Sequence, residues 1–197
     1  MVLDKIFSRA LNFTGIFDDD DALVEELLQA GGSGAGTAVI QVAKLYNATV
    51  ITTVGDDWKA VRAKELGADL VINHRQEDFL DAVKRFTGGK LVDIAVDHVG
   101  ADTFSRSIAA LRRGGRIVTF GATAGDTATL SLRQVFGKNL TVHGVYVGPR
   151  VAVPQYLPLF PRKLRTVVDS VFSFEEAPRA YEKLLSRQFF GKIVVRV

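Results

Sequence analysis

The chain has 197 residues, of which 47% are hydrophobic, and its length and apolar content predict one globular domain with room for a small appendage. It contains no cysteine, which excludes disulfides, thiolate zinc sites and cysteine nucleophiles. The formal net charge is +3, and the basic residues are dispersed, which favours a solvated surface; a basic groove for an anionic ligand is the alternative.

Residues 1–29 are interpreted as a helical and acidic N-terminal extension. A short helical stretch is followed by the acidic run Asp18–Asp21, which we interpret as a solvated loop or a helix cap. The apolar run near the N-terminus is too short for a signal peptide, and no segment approaches the roughly 18 apolar residues that a membrane span needs. We therefore predict a cytoplasmic protein without a membrane span.

After residue 25 the chain alternates short apolar runs with amphipathic helical stretches, and residues 30–148 are assigned to a dinucleotide-binding Rossmann domain. This alternation predicts an α/β domain, in which a parallel six-stranded sheet is covered by helices on both faces and wound in the Rossmann order 3-2-1-4-5-6. The predicted strands are Glu26–Ala30, Ala48–Val54, Leu70–Ile72, Val92–Asp97, Arg116–Phe120 and Leu140–Tyr146. The predicted helices are Thr37–Tyr46, Trp58–Leu66, Glu77–Phe86, Asp102–Leu111 and Leu132–Phe136.

Residues 149–197 differ from the alternating part of the chain. Prolines are frequent over 149–165, which predicts an irregular connection. A small C-terminal strand–helix–strand appendage is then predicted, with its elements at Thr166–Val171, Phe174–Leu185 and Lys192–Val197.

A glycine-rich turn, AGGSGAG over residues 30–36, lies between the first predicted strand and the first predicted helix. Such a turn exposes backbone N–H groups at a helix N-terminus, where the helix dipole also favours an anion. It therefore predicts a phosphate site, and the doubly wound sheet makes a dinucleotide the expected ligand.

The end of the second predicted strand indicates which dinucleotide is bound. About 20 residues beyond the turn, an acidic side chain usually accepts hydrogen bonds from the adenosine ribose of NAD, but this chain has Val54 there. The missing carboxylate favours NADP, with Lys59 or Arg75 pairing with a 2′-phosphate. The alternative is that both cations are ordinary surface residues and that Asp56 or its neighbour Asp57 approaches the ribose.

Several segments, in order, resemble the medium-chain dehydrogenase/reductase superfamily and most of all its zinc-independent quinone oxidoreductase-like branch. They are GTAVIQVAKLYNATVITTV, KAVRAKELGADLVINHRQEDF, VDIAVDHVG, GGRIVTFGAT and VVDSVFSFEEAPRAYEKLLSRQFFGKIVVRV, and they extend over about residues 30–197. The resemblance implies hydride transfer from NADPH to a quinone or enone acceptor, without zinc. It also implies that most of the GroES-like catalytic domain of the relatives is missing, so that residues 149–197 are a remnant that would return to it.

The resemblance assigns cofactor-binding roles by matching position. The pyrophosphate would lie on Gly31, Ser33, Gly34, Ala35, Gly36 and Thr37. The adenosine side would be lined by Gly55, Lys59, His74 and Arg75. The nicotinamide side would be lined by Val99, Gly121, Ala122, Thr123 and Tyr146, with Phe190, Gly191 and Lys192 closing over it. Compared with the family pattern, the turn is either one residue short or has Ser33 where a glycine is expected. In the second case the Ser33 Cβ weakens phosphate binding or its hydroxyl donates to the phosphate.

No residue is assigned a catalytic role, and the three histidines show no metal-ligand spacing. His98, at the end of the fourth predicted strand, either touches the cofactor as a proton donor or is a histidine hydrogen-bonded at a strand end. The competing function is a non-catalytic nucleotide-binding or scaffolding module, which the missing pocket favours. Nucleic acid is an unlikely partner because basic and aromatic residues do not cluster. The β-rich stretch Leu140–Val147 predicts a homodimer by strand pairing.

Overall fold

The computed structural model describes residues 24–146, 154, 157–159 and 163–197. Residues 1–23, which make up most of the predicted extension, lie outside these ranges, and so does most of the predicted irregular connection. The described residues form one six-stranded parallel sheet with flanking helices, and a separate two-stranded parallel sheet.

The six-stranded sheet has the order β3-β2-β1-β4-β5-β6, which confirms the predicted topology. Its strands are β1 (Glu25–Leu28), β2 (Thr49–Val54), β3 (Leu70–Asn73), β4 (Val92–Val96), β5 (Leu111–Thr119) and β6 (Thr141–Gly144). Strand β1 pairs with both β2 and β4, so the centre of the sheet includes residues that we placed in the N-terminal extension. Strand β1 begins and ends earlier than the predicted strand Glu26–Ala30, because Gln29 and Ala30 already belong to the turn.

The helices between the strands are α1 (Gly34–Leu45), α2 (Asp57–Glu65), α3 (Phe79–Phe86), α4 (Phe104–Ala109) and α5 (Leu132–Lys138). Side-chain caps explain two differences from the predicted bounds. Helix α1 begins before Thr37 because the Ser33 hydroxyl accepts a hydrogen bond from Gly36 N at 2.8 Å. Helix α3 begins after Glu77 because Asp78 accepts from the amides of its first turn.

The predicted helix Asp102–Leu111 was too long at both ends. Helix α4 ends at Ala109, and Leu111 already pairs with Val92 in the sheet. The register of the β4–β5 ladder then shifts before Arg116, where regular pairing resumes. The strand therefore starts earlier than the apolar run that predicted it.

Alternating residues of the central strands face two different core layers. Leu27 packs with Ile51 and the helices α3 and α4, whereas Leu28 packs with Val50 and the helices α1 and α2. Phe190, from the C-terminal appendage, joins the second layer and is only 1% exposed. Both faces of the sheet are thus covered, as the apolar strands predicted.

The appendage consists of β7 (Val168–Ser173), α6 (Ala177–Ser186) and β8 (Lys192–Arg196), and its two strands pair in parallel. It is attached to the main domain near the glycine turn, since Gly191 N donates to Gly32 O at 2.9 Å. Several large apolar side chains of the appendage, including Phe174, Tyr181 and Leu185, are exposed.

Strand β6 is an edge of the main sheet, and its Val142 is 44% exposed. The homodimer through Leu140–Val147 stays a prediction, and Val147 lies outside the described residues. Within the part of the chain that the structure describes, no helix combines the length and apolarity needed to cross a membrane.

Candidate functional site

The candidate site lies at the carboxyl ends of β1 and β4. The strand order reverses here, because β2 and β3 lie on one side of β1, whereas β4, β5 and β6 lie on its other side. In open α/β sheets this reversal leaves a crevice in which ligands bind. The glycine turn, the loop after β2 and the loop after β4 all border it, so the topology brings together residues that are far apart in sequence.

The glycine turn is closely packed under the start of α1. A Cβ on Gly36 would collide with the Ala30 carbonyl oxygen and lie 2.8 Å from Gly31 Cα, and a Cβ on Gly31 would collide with the Thr52 hydroxyl. Ala30 itself adopts a left-handed conformation, with φ of 57°. The turn therefore needs glycine at residues 31 and 36 so that the helix N-terminus can approach the sheet.

Ser33 is the N-cap of α1 and contacts the loop after β4. Its hydroxyl accepts from Gly36 N and lies 3.1 Å from His98 Nε2. The hydroxyl is thus already bound to protein groups, and the Ser33 side chain organises the turn. The residues Gly34, Ala35 and Thr37 follow in the first turn of the helix, where Thr37 is buried.

His98 has the environment of a hydrogen-bonded histidine at a strand end, which was one of the two interpretations left open. It is 6% exposed, and its ring stacks on Phe120 with centroids 5.1 Å apart. Burial lowers the pKa of His98 below its usual value, although the neighbouring Asp97 opposes this effect. Burial therefore favours the neutral imidazole, and Nδ1 has no hydrogen-bond partner among the described residues.

Lys192, at the start of β8, extends its side chain over Gly34 at the N-terminus of α1. A Cβ on Gly34 would collide with the Lys192 Cε and Nζ atoms. No described residue forms an ion pair or hydrogen bond with this ammonium group. A cation beside the positive end of a helix dipole is unfavourable alone but favourable once an anion lies between them.

The other two residues expected to close over the cleft behave differently. Phe190 is buried against Gly32, and the Arg62 guanidinium lies 4.9 Å from its ring centroid. Gly191 forms the backbone link to Gly32 and has φ of 95°. These residues anchor the appendage to the turn, and Lys192 is the member of the group whose side chain reaches the phosphate-binding position.

The predicted adenosine-side residues meet beside the end of β2. Arg75 Nη1 lies 2.9 Å from Asp56 Oδ1, and Lys59 Nζ lies 3.5 Å from Asp56 Oδ2. Gly55 lies next to His74 and Arg75, where a Cβ would be 3.4 Å from His74 Nε2. Burial and the nearby Arg75 lower the pKa of His74. Two cations and one carboxylate thus share this corner, and sequence reasoning missed that Asp56 pairs with both cations.

The predicted nicotinamide-side residues lie on two loops that contact each other. Ala124 N donates to Val99 O at 2.8 Å, and Thr123 N donates to His98 O at 3.3 Å. Gly121, Ala122 and Thr123 are exposed, and Tyr146 is 91% exposed. The structure therefore brings Val99 close to residues 121–123 but leaves this side of the crevice open within the described residues.

Beneath the crevice, sequence reasoning missed a set of buried polar side chains. Gln29, Thr53, Asp97 and Ser107 are each no more than 2% exposed and are hydrogen-bonded to one another. A polar residue at the carboxyl end of each of three adjacent strands was the signal that could have revealed them.

Comparison with known proteins identifies the family of the chain. Residues 34–162 match the family described as zinc-binding dehydrogenase. Quinone oxidoreductase-like protein 2 of Mus musculus is 30% identical over 182 residues, which is 86% of this chain and 51% of that protein. The chain thus spans about half the length of this curated relative.

Solved structures are similar over most of the chain. A crystal structure of an NAD-dependent alcohol dehydrogenase is 36% identical with a TM-score of 0.85, covering 98% of this chain and 55% of that one. Escherichia coli quinone oxidoreductase complexed with NADPH is 31% identical with a TM-score of 0.75, covering 88% of this chain and 57% of that one. The chain therefore belongs to the zinc-binding dehydrogenase family of the medium-chain dehydrogenase/reductase superfamily, in which it represents the nucleotide-binding domain.

Proposed function

We propose that this chain binds NADP(H) in the crevice between β1 and β4 and serves as the cofactor-binding half of a quinone or enone reductase. The observation that carries the proposal is the Lys192 ammonium group, which has no described counter-ion and lies at the N-terminus of α1 beside Gly34. A diphosphate would fill this position, where it would accept from the helix amides and pair with Lys192.

The residues present fit a dinucleotide. Because Gly31 and Gly36 have no side chain, the N-terminus of α1 can lie close to the sheet. Ser33 caps this helix N-terminus, and Lys192 supplies a positive charge beside it. When bound, the reduced nicotinamide would supply a hydride, which is a proton with two electrons, to the acceptor, and the second proton that completes the reduction would come from solvent. The protein's own residues hold and orient the cofactor, and none of the described side chains is assigned to proton transfer.

The family's description names zinc, but the described residues do not fit a zinc site. The chain has no cysteine, and the described residues contain no group of three or more His, Asp or Glu side chains that could hold a metal ion. Structural and catalytic zinc sites need three or four such ligands. We therefore derive no chemical step through a metal.

Replacing Lys192 with methionine tests the proposed diphosphate site. A charge-assisted hydrogen bond contributes about 1.5–3 kcal/mol, so we expect Lys192→Met to weaken NADPH binding by roughly 10- to 100-fold. Fluorescence titration of the full chain with NADPH measures this change. The matched control is Lys64→Met, which removes the same charge from the exposed surface of α2. Equal dissociation constants for Lys192→Met and the unmodified chain would contradict the proposed site.

The choice of NADP over NAD depends on Asp56, Lys59 and Arg75. The two cations could bind a 2′-phosphate, but the Asp56 carboxylate neutralises part of their charge and would repel that phosphate. We propose NADP because two positive groups outnumber one negative group at this corner.

Asp56→Asn should increase the preference for NADPH. The substitution removes the repulsion and frees Lys59 and Arg75, so we expect the ratio of NADH to NADPH dissociation constants to rise by roughly 10-fold, equivalent to about 1.4 kcal/mol. The control is Asp57→Asn, because Asp57 instead accepts from Asn73 and Gln76. A ratio that is unchanged in Asp56→Asn, or changed equally in the control, would place the 2′-phosphate elsewhere.

The open nicotinamide side favours a second candidate, a nucleotide-binding module without activity of its own. Residues 121–123 and Tyr146 are exposed, so the described residues do not enclose an acceptor. Stopped-flow measurement of NADPH absorbance with a small para-quinone distinguishes the two candidates. Tight NADPH binding without oxidation supports the module, whereas rapid turnover shows that the chain is sufficient for hydride transfer.

A further inference from the structure

A continuous chain of hydrogen bonds runs under the floor of the crevice, from the glycine turn to the loop after β4. It begins at the backbone of Ala30, whose N–H donates to Thr53 Oγ1 at 3.1 Å. Thr53 Oγ1 donates to Gln29 Oε1 at 2.8 Å, and Gln29 Nε2 donates to Ser107 Oγ at 3.1 Å. Three elements, namely β2, the end of β1 and α4, are therefore joined by side chains alone.

This series of hydrogen bonds ends on the carboxylate of Asp97, which follows β4. Ser107 Oγ donates to Asp97 Oδ2 at 2.7 Å. The other oxygen of Asp97 accepts from Val99 N at 3.0 Å and from Gly100 N at 3.1 Å, and Thr103 Oγ1 donates to both oxygens. Asp97 thus fixes the backbone of the loop to which the sequence assigns the nicotinamide ribose.

The direction of every bond in the chain follows from its two ends. A carboxylate only accepts, so Ser107 must donate to Asp97 and can accept only from an N–H of Gln29. The other end of the Gln29 amide is then its carbonyl oxygen, which requires a donated proton from Thr53. The Thr53 hydroxyl is left to accept from Ala30 N. One arrangement of protons satisfies all four groups, and aligned bonds of this kind strengthen one another in a low-dielectric interior.

We propose that Gln29 is a positioning residue that couples the two halves of the dinucleotide site. It holds the turn that would bind the diphosphate and the loop that would contact the nicotinamide ribose at one fixed separation. The inference rests on the proposed function, because it assumes that a dinucleotide bridges the turn and the loop. Gln29 itself is 1% exposed and contacts no ligand, so it acts through Thr53 and Ser107.

Thr53→Val and Ser107→Ala test this coupling, because the two hydroxyls lie on opposite sides of Gln29. Either substitution interrupts the series of hydrogen bonds once, so we expect each to weaken NADPH binding by about 5- to 10-fold. The double variant should lose no more than about 10-fold in affinity relative to the unmodified protein. Independent contributions would instead multiply to roughly 25- to 100-fold. In a Gln29→Met background, adding either substitution should change the affinity less than about 2-fold.

The control is Thr87→Val, which removes an equally buried hydroxyl at the end of α3. Thr87 is 5% exposed and accepts from Leu91 N at 3.0 Å, at the end of the sheet opposite the crevice. It should lower stability without changing NADPH affinity. A loss of affinity in this control equal to that in Ser107→Ala would show that general destabilisation, and not positioning, is being measured.

Amide hydrogen exchange of the ligand-free chain gives a second readout that does not depend on NADPH. Thr53→Val should speed exchange at Val99 and Gly100, and Ser107→Ala should speed exchange at Ala30, each by about 5- to 10-fold. Multiplicative affinity losses, or exchange that changes only next to each substitution, would overturn the coupling. Failure of the unmodified chain to bind NADPH would instead overturn the proposed function, and the exchange measurement would still decide whether Gln29 couples the turn to the loop.

Discussion

Gly36→Ala is expected to weaken NADPH binding at least about 10-fold. The added Cβ would collide with the Ala30 carbonyl oxygen and lie 2.8 Å from Gly31 Cα, both of which are backbone atoms of the turn. Helix α1 must then move away from the turn, which costs about 1–3 kcal/mol of stability as in other overpacked sites. The same movement separates the helix amides from Lys192. We expect at least a 10-fold loss of affinity, equivalent to about 1.4 kcal/mol, by fluorescence titration.

The chain offers a matched control in Gly137, a glycine within α5. A Cβ there would meet nothing within 4 Å. Gly137→Ala should therefore raise the free energy of unfolding by up to about 1 kcal/mol, because alanine favours a helix over glycine, and should leave NADPH binding unchanged. Normal binding by Gly36→Ala would mean that the ligand does not approach the start of α1.

Replacing Glu26 should remove a strong pH dependence of stability. Glu26 lies on β1 between Val50 and Ile94, and burial raises the pKa of its carboxyl group from 4.5 to about 7. No described residue donates a hydrogen bond to its Oε1 atom. The folded chain therefore holds a proton on Glu26 that the unfolded chain releases between pH 4.5 and 7.

The proton that the folded chain retains sets the direction in which stability changes with pH. Below pH 4.5 both states are protonated and the carboxyl costs nothing electrostatically; as the pH rises to about 7 the free energy of unfolding falls, and above that it levels off. The total fall is about 3 kcal/mol at roughly 1.4 kcal/mol per pKa unit. Urea unfolding between pH 4 and 8 should show this fall in the unmodified chain.

Glu26→Gln should remove most of the fall in the free energy of unfolding with rising pH. The buried amide carries its own cost, but this cost does not change with pH, so the difference from the unmodified chain isolates the carboxyl. Glu26→Leu gives the same comparison without a buried polar group. If the slope of stability against pH is the same in both variants as in the unmodified chain, Glu26 does not carry a raised pKa.

The strand order could be predicted because it depends on features that are local in sequence. Short β-branched runs separated by helical stretches leave few topologies for a parallel sheet, and the glycine turn marks where β1 ends. Helix starts were less accurate, since Ser33 and Asp78 cap helices by side-chain hydrogen bonds that apolar periodicity does not reveal.

The functional details that sequence reasoning missed are pairings across the fold. Asp56 was considered only as a possible ribose ligand, and its ion pairs with Lys59 and Arg75 depend on where the loops after β2 and β3 meet. The position of Lys192 beside Gly34 likewise depends on how the appendage docks. The series of hydrogen bonds from Ala30 to Asp97 depends on the register of three strands and on the position of a helix at the same time.

The backbone hydrogen bond between Gly191 and Gly32 couples the appendage to the glycine turn. A second bond, from Lys59 Nζ to Arg187 O at 2.5 Å, joins the appendage to the adenosine side. A ligand that binds only when Lys192 is docked must therefore stabilise residues 168–196 against detachment, and this stabilisation grows with the logarithm of one plus the ratio of the ligand concentration to the dissociation constant. Under the proposed function, any change that loosens the appendage should conversely weaken nucleotide binding, although the appendage lies outside the six-stranded sheet.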